Sequence, residues 1–208
     1  MTIDTLSGAP DRAGRYRVVF SDGTVLRLYR QTVEDFGLFP GMELSPAELA
    51  RLKEAASKMS AKMRAVRIVS QTSISKGELE RRLIQKGEGP AQAREAVDWM
   101  GEMELLDDAR TAQQIVAHCI SRGYGQSRAR QALYEKRIPR EYWDEALRDY
   151  PAQEEALLVL LRRRIDDPAD HRQVSRAIDA AMRRGHRYSD VRKALEKLSV
   201  DADEIPEE

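Results

Sequence analysis

Four residues return at one fixed distance along the chain. Arg122-Gly123 recurs as Arg184-Gly185, Ser127 as Ser189 and Leu133 as Leu195, each 62 positions later. A fainter match sets Leu79, Leu83 and Lys86 against Ala129, Leu133 and Lys136, 50 positions on. Glycine at a helix end supplies the left-handed backbone that other residues resist, and serine is a good N-cap. Equal spacing of turn, cap and core residue therefore predicts a repeated helical unit. Such units each bury a face against their neighbours and form an elongated array. The two offsets differ, so the connection between units varies in length.

Residues 1–14 are polar, rich in small residues and without periodicity, which predicts a loose terminus. From Arg15 the pattern alternates through Tyr16, Val18 and Phe20, reaches Asp22-Gly23, and resumes at Val25, Leu26 and Leu28. Asp-Gly between two β-prone runs is a hairpin signal. Thr32 to Leu44 carries few helix signals and predicts a further extended piece. Ser45-Pro46-Ala47-Glu48 then opens a helix with N-cap, proline at the first position and a capping-box glutamate. Met59, Met63, Val66 and Ile74 punctuate a second helix. Ser75-Lys76-Gly77-Glu78, Gly89-Pro90, Asp107-Asp108 and Pro139 open further ones, and helices over 154–165, 172–184 and 189–198 complete the series. The fold class is mainly α, a tandem array of helical repeats with a small hairpin-containing N-terminal extension. Its expected divisions are a flexible terminus over 1–14, the hairpin and first helix over 15–56, repeats over 57–108, 109–150 and 151–200, and an acidic tail over 201–208.

Charge is balanced at 35 basic and 35 acidic residues, so the total points to no particular partner. Its distribution says more. Five acids and no base follow Val200, which leaves 35 bases against 30 acids, +5, in residues 1 to 200. No apolar run is long enough to span a bilayer, and the N-terminus is not a secretory signal. The single Cys119 has no partner for a disulfide within the chain and lies at helical spacing from Val116 and Ala112. That predicts a small core residue of a reduced, cytoplasmic protein. No phosphate-cradling glycine loop of the known types is present. His118, His171 and His186 are scattered and read as surface or capping residues rather than metal ligands. Asp107-Asp108 precedes a helix, which makes capping its first reading. No catalytic set, cofactor or metal is expected.

The cations fall into three clusters. Arg122, Arg128, Arg130, Lys136 and Arg137 crowd the turn and helix between Gly123 and Ile138. Arg162, Arg163 and Arg164 form the second, and Arg183, Arg184, Arg187, Arg192 and Lys193 the third. Acids are interleaved almost one for one, so solvated helix faces laced with ion pairs are one reading. The other collects the outward arginines into a basic track for phosphates or an acidic protein groove, since the guanidinium fork binds both bidentately. Tyr124 and Tyr188 follow the two repeated turns. Each either packs over a helix corner, the first reading for Tyr124, or meets a partner pocket or nucleobase.

Over about residues 55–198 the chain resembles the RecX regulatory proteins of bacteria. The resemblance rests on Ser75-x-x-Glu78-Leu79-x-x-x-Leu83, on Leu105-Leu106-Asp107-Asp108, and above all on Arg122-Gly123-Tyr124-Gly125 with Arg128, Leu133, Lys136 and Ile138. Arg184-Gly185 with Val191 is similar to the family's last block, and the N-terminal hairpin to an extension found in part of the family. The family tends to have glycine where this chain has Glu104 and Arg137. The resemblance implies repeats of three-helix units and a monomeric, non-enzymatic regulator of the RecA recombinase. Such a regulator lies along the groove of the RecA-DNA filament and limits filament growth, strand exchange, ATP hydrolysis and co-protease activity, in DNA repair and the SOS response. It implies a RecA filament as partner, with weak, salt-sensitive contacts to single- and double-stranded DNA and none to membrane. The expected contact residues are Arg122, Tyr124, Arg128, Arg130, Lys136, Arg137, Arg162, Arg163, Arg164, Arg184 and Arg187, with Gly123, Gly125 and Gly185 as structural turns. The alternative is a helical regulator that reads duplex DNA directly through the turn and helix from Gly123 to Arg137.

Overall fold

A computed structural model of the chain describes residues 1 to 198; the expected acidic tail lies outside the described residues. The chain divides into two compact units, Met1–Leu106 and Asp107–Glu208. Among the described residues it is mainly helical, with one three-stranded antiparallel sheet.

In the first unit the hairpin forms as expected. β2 (Arg15–Phe20) pairs with β3 (Val25–Tyr29) across Asp22 and Gly23, and the Asp22 carboxylate accepts the Thr24 amide and hydroxyl. The terminus before it is not loose. Ile3–Leu6 is a third strand, β1, paired with the far side of β2. Ile3 is fully buried with Phe20, Val18 and Leu28, and its amide donates to the Met42 carbonyl. Burying an apolar side chain of this size stabilises by about 1.5–3 kcal/mol, enough to hold a four-residue strand that periodicity cannot reveal. The extended piece expected after Thr32 begins instead as a helix, α1 (Arg30–Asp35). It has no side-chain cap and is held by its packing: Thr32 is buried, Val33 and Phe36 join the sheet core, and Gly37 closes it.

α2 (Pro46–Val69) starts at the expected capping box, where Ser45 and Glu48 exchange hydrogen bonds of 3.2 and 2.8 Å. It then runs unbroken through the boundary expected between 56 and 57 and ends at Val69. Met59, Met63 and Val66 therefore lie on this one helix, and Ile74 lies in the connection after it, buried by its packing and not by a helix stripe. Leu49, Leu52 and Ala56 face the sheet core, whereas Ala61, Ala65 and Ile68 face a second core with α3 (Lys76–Gln85) and α4 (Pro90–Glu102). One helix serves both cores because no Gly or Pro interrupts it. The Ser75 hydroxyl accepts the Glu78 amide at the start of α3, and the Glu78 carboxylate takes Arg81 at 2.6 Å and Arg82 at 3.0 Å. Arg81 first, then Arg82, hold its pKa down to about 2 against the opposing effect of burial.

The second unit contains two further helix triplets, each around its own core. α5 (Asp108–Ser121), α6 (Gln126–Glu135) and α7 (Trp143–Leu147, entered by a 3₁₀ turn at Arg140–Tyr142) enclose Ala112, Val116, Cys119, Ala129, Leu133, Ile138 and Leu147. α8 (Glu154–Arg162), α9 (His171–Arg183) and α10 (Tyr188–Lys197) enclose Leu157, Leu161, Val174, Ala181, Val191 and Leu195. The 62-residue echo is out of phase with these triplets. It matches the corner after the first helix of one (Gly123) to the corner after the second helix of the next (Gly185). The in-phase series is Gly87, Arg137 and Gly185, each following the second helix of its triplet. Glu104 and Arg137, where glycine was the family expectation, keep the left-handed backbone at φ 56° and 55°. Their turns close with the same bonds as the glycine corners: Arg137 N–H to Tyr134 O and Ile138 N–H to Leu133 O.

Candidate partner and nucleic-acid interface

The two echoing turns of the second unit press against each other. α5 ends in Gly123 (φ 65°), whose amide donates to Ile120 O while the Tyr124 amide donates to Cys119 O. α9 ends in Gly185 (φ 81°), with the same pattern onto Met182 and Ala181. The Gly125 amide then donates to Arg184 O at 2.9 Å, and the Ser127 amide to Gly185 O at 3.3 Å. Carbonyls at the C-terminal end of α9 thus receive amides at the N-terminal end of α6. Each end supplies what the other lacks, and their dipoles meet with favourable sign. The approach leaves no room for side chains. A Cβ on Gly125 would stand 1.9 Å from Gly185 O, one on Gly185 2.2 Å from the Arg128 amide nitrogen, and one on Gly123 2.5 Å from Ala156 Cβ. The three glycines are the joint between the second and third triplets.

Tyr124 belongs to this joint. It is half-buried against the α5–α7 core, and its carbonyl accepts the Tyr150 hydroxyl at 2.7 Å. His186 lies there too, a placement the sequence reading as surface or cap missed. His118 and His171 are exposed, but His186 is buried, and its Nε2 has no hydrogen-bond partner among the described residues. Burial pulls its pKa below the ordinary histidine value, with Arg184 adding to the effect. The hydrogen bond with the Gly123 backbone and the Asp190 charge oppose it.

The expected contact arginines are sorted by their surroundings. Arg128 is half-buried and pairs with Glu135 at 3.1 Å, which also accepts Gln131 at 3.0 Å, so this cation is neutralised on its own helix. Arg187 reaches Gln126 at 3.4 Å. Arg122, Arg130, Arg137, Arg162, Arg163, Arg164 and Arg184 are exposed and have no ion pair among the described residues; Lys136 is exposed as well. Arg163, Arg164 and Arg184 converge on one concavity of about 430 Å³, floored by Ala156, Val159 and Leu160. Ala156 is also the residue against which Gly123 abuts, so the concavity is built on the joint. Arg162 does not line it, and neither do the α6 cations. Three guanidinium groups over an apolar floor can bind carboxylates or phosphates while covering an apolar side chain. Tyr134 was not among the expected contact residues. It stands 68% exposed on α6, with Arg130 four residues before it and Arg137 three after. Helical spacing around the basic residues was the available signal.

Elsewhere, Asp107 caps α5 by accepting the Arg110 amide at 2.9 Å. Among the described residues no group of three or more His, Cys, Asp or Glu is placed to hold a metal ion, and no helix is long and apolar enough to cross a membrane.

A family model described as RecX, second three-helix domain, matches residues 107–147, the α5–α7 triplet. The regulatory protein RecX of Trichlorobacter lovleyi is 32% identical over 141 residues, covering 64% of this chain and 92% of that protein. Its counterpart in Halorhodospira halophila is 28% identical over 145 residues, 68% of this chain and 90% of the relative. Among solved structures, a crystal structure of regulatory protein RecX aligns with a TM-score of 0.65 at 20% identity, over 96% of this chain and 99% of its own. RecX from Lactobacillus salivarius aligns with a TM-score of 0.59 at 16% identity, over 71% of this chain and 99% of its own. These two likenesses concern the fold, and the first is too wide to leave out the N-terminal sheet.

Proposed function

The chain belongs to the RecX family of regulatory proteins, and from that premise we propose that it binds the filament formed by a RecA recombinase on DNA and restrains it. On this reading the protein acts in the cytoplasm, catalyses nothing itself and works by occupancy. It lies against the filament, blocks addition of recombinase subunits and entry of homologous duplex, and so lowers ATP hydrolysis, strand exchange and co-protease activity in DNA repair and the SOS response.

The observation that carries the proposal is the concavity where Arg163, Arg164 and Arg184 surround an apolar floor. Its chemistry suits an acidic protein ridge with an apolar tip, or phosphates along a DNA backbone. The direct DNA-reading alternative fares worse. A recognition helix reads base edges with its N-terminal residues, but the N-terminus of α6 is occupied by the carbonyls of Arg184 and Gly185.

The test is ATP hydrolysis by the cognate RecA on single-stranded DNA, titrated with this protein. Inhibition well below one regulator per recombinase is expected. Unchanged hydrolysis at excess regulator would contradict the proposal.

A further inference from the structure

We propose that Tyr134 is a stacking platform for an unpaired nucleobase, flanked by two phosphate-binding arginines, Arg130 and Arg137, so that α6 and the corner after it take a single strand of nucleic acid. Arg130 lies one turn before Tyr134 on α6, and Arg137 stands at the corner just past the helix end, its amide donating to the Tyr134 carbonyl at 2.9 Å. Tyr134 has the highest exposure of the large hydrophobic side chains among the described residues, and its hydroxyl makes no hydrogen bond there. The other aromatics of this triplet are engaged. Tyr124, Tyr142, Trp143 and Tyr150 pack on its core, the Trp143 indole donates to Ile138 O, and Arg140 lies over its ring.

The arginines differ from their neighbour in the same way. Arg128 is paired with Glu135, which partly offsets the charge of the acid next to Tyr134. Arg130 and Arg137 have no ion pair among the described residues. Arg137 moreover sits at φ 55°, a backbone conformation that costs an L-residue energy glycine would not spend. A strained residue that keeps its charge three positions from an exposed aromatic ring points to a use for that charge. An aromatic ring with flanking cations is the arrangement by which proteins hold single strands, because every base has a face to stack while the arginines follow the backbone. Duplex hides those faces, and an acidic peptide has none, so the occupant is an unpaired strand.

This inference rests on the proposed function only in assigning basic surface to a DNA-bound partner. Its test is fluorescence anisotropy of a labelled oligothymidylate and of the matching abasic strand. The proteins compared are wild type, Tyr134→Ala, Tyr134→Trp and Arg130→Ala, each checked for helix content. Tyr134→Ala is expected to weaken oligothymidylate binding about 5- to 100-fold and leave the abasic strand unchanged, with Tyr134→Trp restoring it. Arg130→Ala is expected to weaken both strands alike and to flatten the salt dependence by about 0.7 in logarithmic slope. Equal loss on both strands in Tyr134→Ala, no loss on either, no strand binding by wild type, or displacement of the strand by polyglutamate from wild type but not from Tyr134→Ala would each overturn it. Failed recombinase inhibition with base-selective binding intact would remove the proposed function alone. Inhibition without base selectivity would remove this inference alone.

Discussion

Arg137 and Gly185 close corresponding corners of adjacent triplets, after α6 and after α9, and both have left-handed backbone. At Gly185 a Cβ would meet the Arg128 backbone at 2.2 Å, whereas at Arg137 a whole arginine side chain stands exposed. The left-handed turn therefore does not itself demand glycine. An L-residue can occupy it at a cost of about 1–2 kcal/mol. What demands glycine is the close approach of a second helix end. Gly125 makes the same point from the other side: its φ of −72° is open to any residue, yet Gly185 O lies where its Cβ would be. Corners of the second unit are thus of two kinds, joints that exclude side chains and open corners that display them.

Two tryptophans let the comparison be measured unit by unit, since Trp99 belongs to the first unit and Trp143 to the second. With Trp99→Phe as background, urea unfolding followed through Trp143 reports the second. Gly185→Ala, which adds both strain and overlap, is expected to cost about 3–4 kcal/mol. Gly125→Ala adds overlap without strain and is expected to cost about 2–3 kcal/mol. A loss below about 0.5 kcal/mol for either, the range of ordinary surface substitutions, would mean that the joint yields and the distinction fails.

The joint also predicts a pH dependence. His186 is held below its unfolded pKa of about 6.5, so the unfolded chain takes up its proton first as pH falls. Stability from keeping His186 neutral is thus complete above about 6.5 and is lost as pH drops through the lower, folded pKa. In the first unit the Glu78 carboxylate, at about 2, gives stability that is present above its unfolded pKa and lost between about 4.5 and about 2. Trp143 is therefore expected to report weakening at higher pH than Trp99 does, with His186→Gln flattening the earlier decline. The opposite order would contradict the placement of His186. The smallest effects belong to the open corners. Gly87→Ala, where nothing lies within 4 Å of a new Cβ, is expected to cost about 1 kcal/mol from strain alone. Arg137→Gly is expected to stabilise by about 0.5–1 kcal/mol.

Local chemistry made much of the fold legible. Ser45, Pro46 and Glu48, the Asp107 cap, and the turns at Gly123 and Gly185 all act within a few residues of sequence, and their helices start and stop where those signals stand. The failures share a cause at longer range. Ile3 becomes a strand residue only because β2 and Met42 are there to receive it, and α1 has no cap to announce it. The continuity of α2 across two cores shows in neither half alone. Among the candidate residues, the cations themselves were visible but their fates were not. Arg128 is neutralised by a residue seven positions away, whereas Arg184 meets Arg163 and Arg164 only through the packing of α8 against α9. The echo of Gly123 in Gly185 was visible too. That the two turns touch, out of phase with the triplets, could be learned only from the fold.

The most direct test of the account is recombinase ATP hydrolysis on single-stranded DNA in the presence of an Arg163→Ala/Arg164→Ala/Arg184→Ala variant. This variant is expected to unfold like wild type by Trp143 fluorescence, because the three side chains stand outside the joint, and to inhibit no longer. A folded variant that inhibits as strongly as wild type would contradict it.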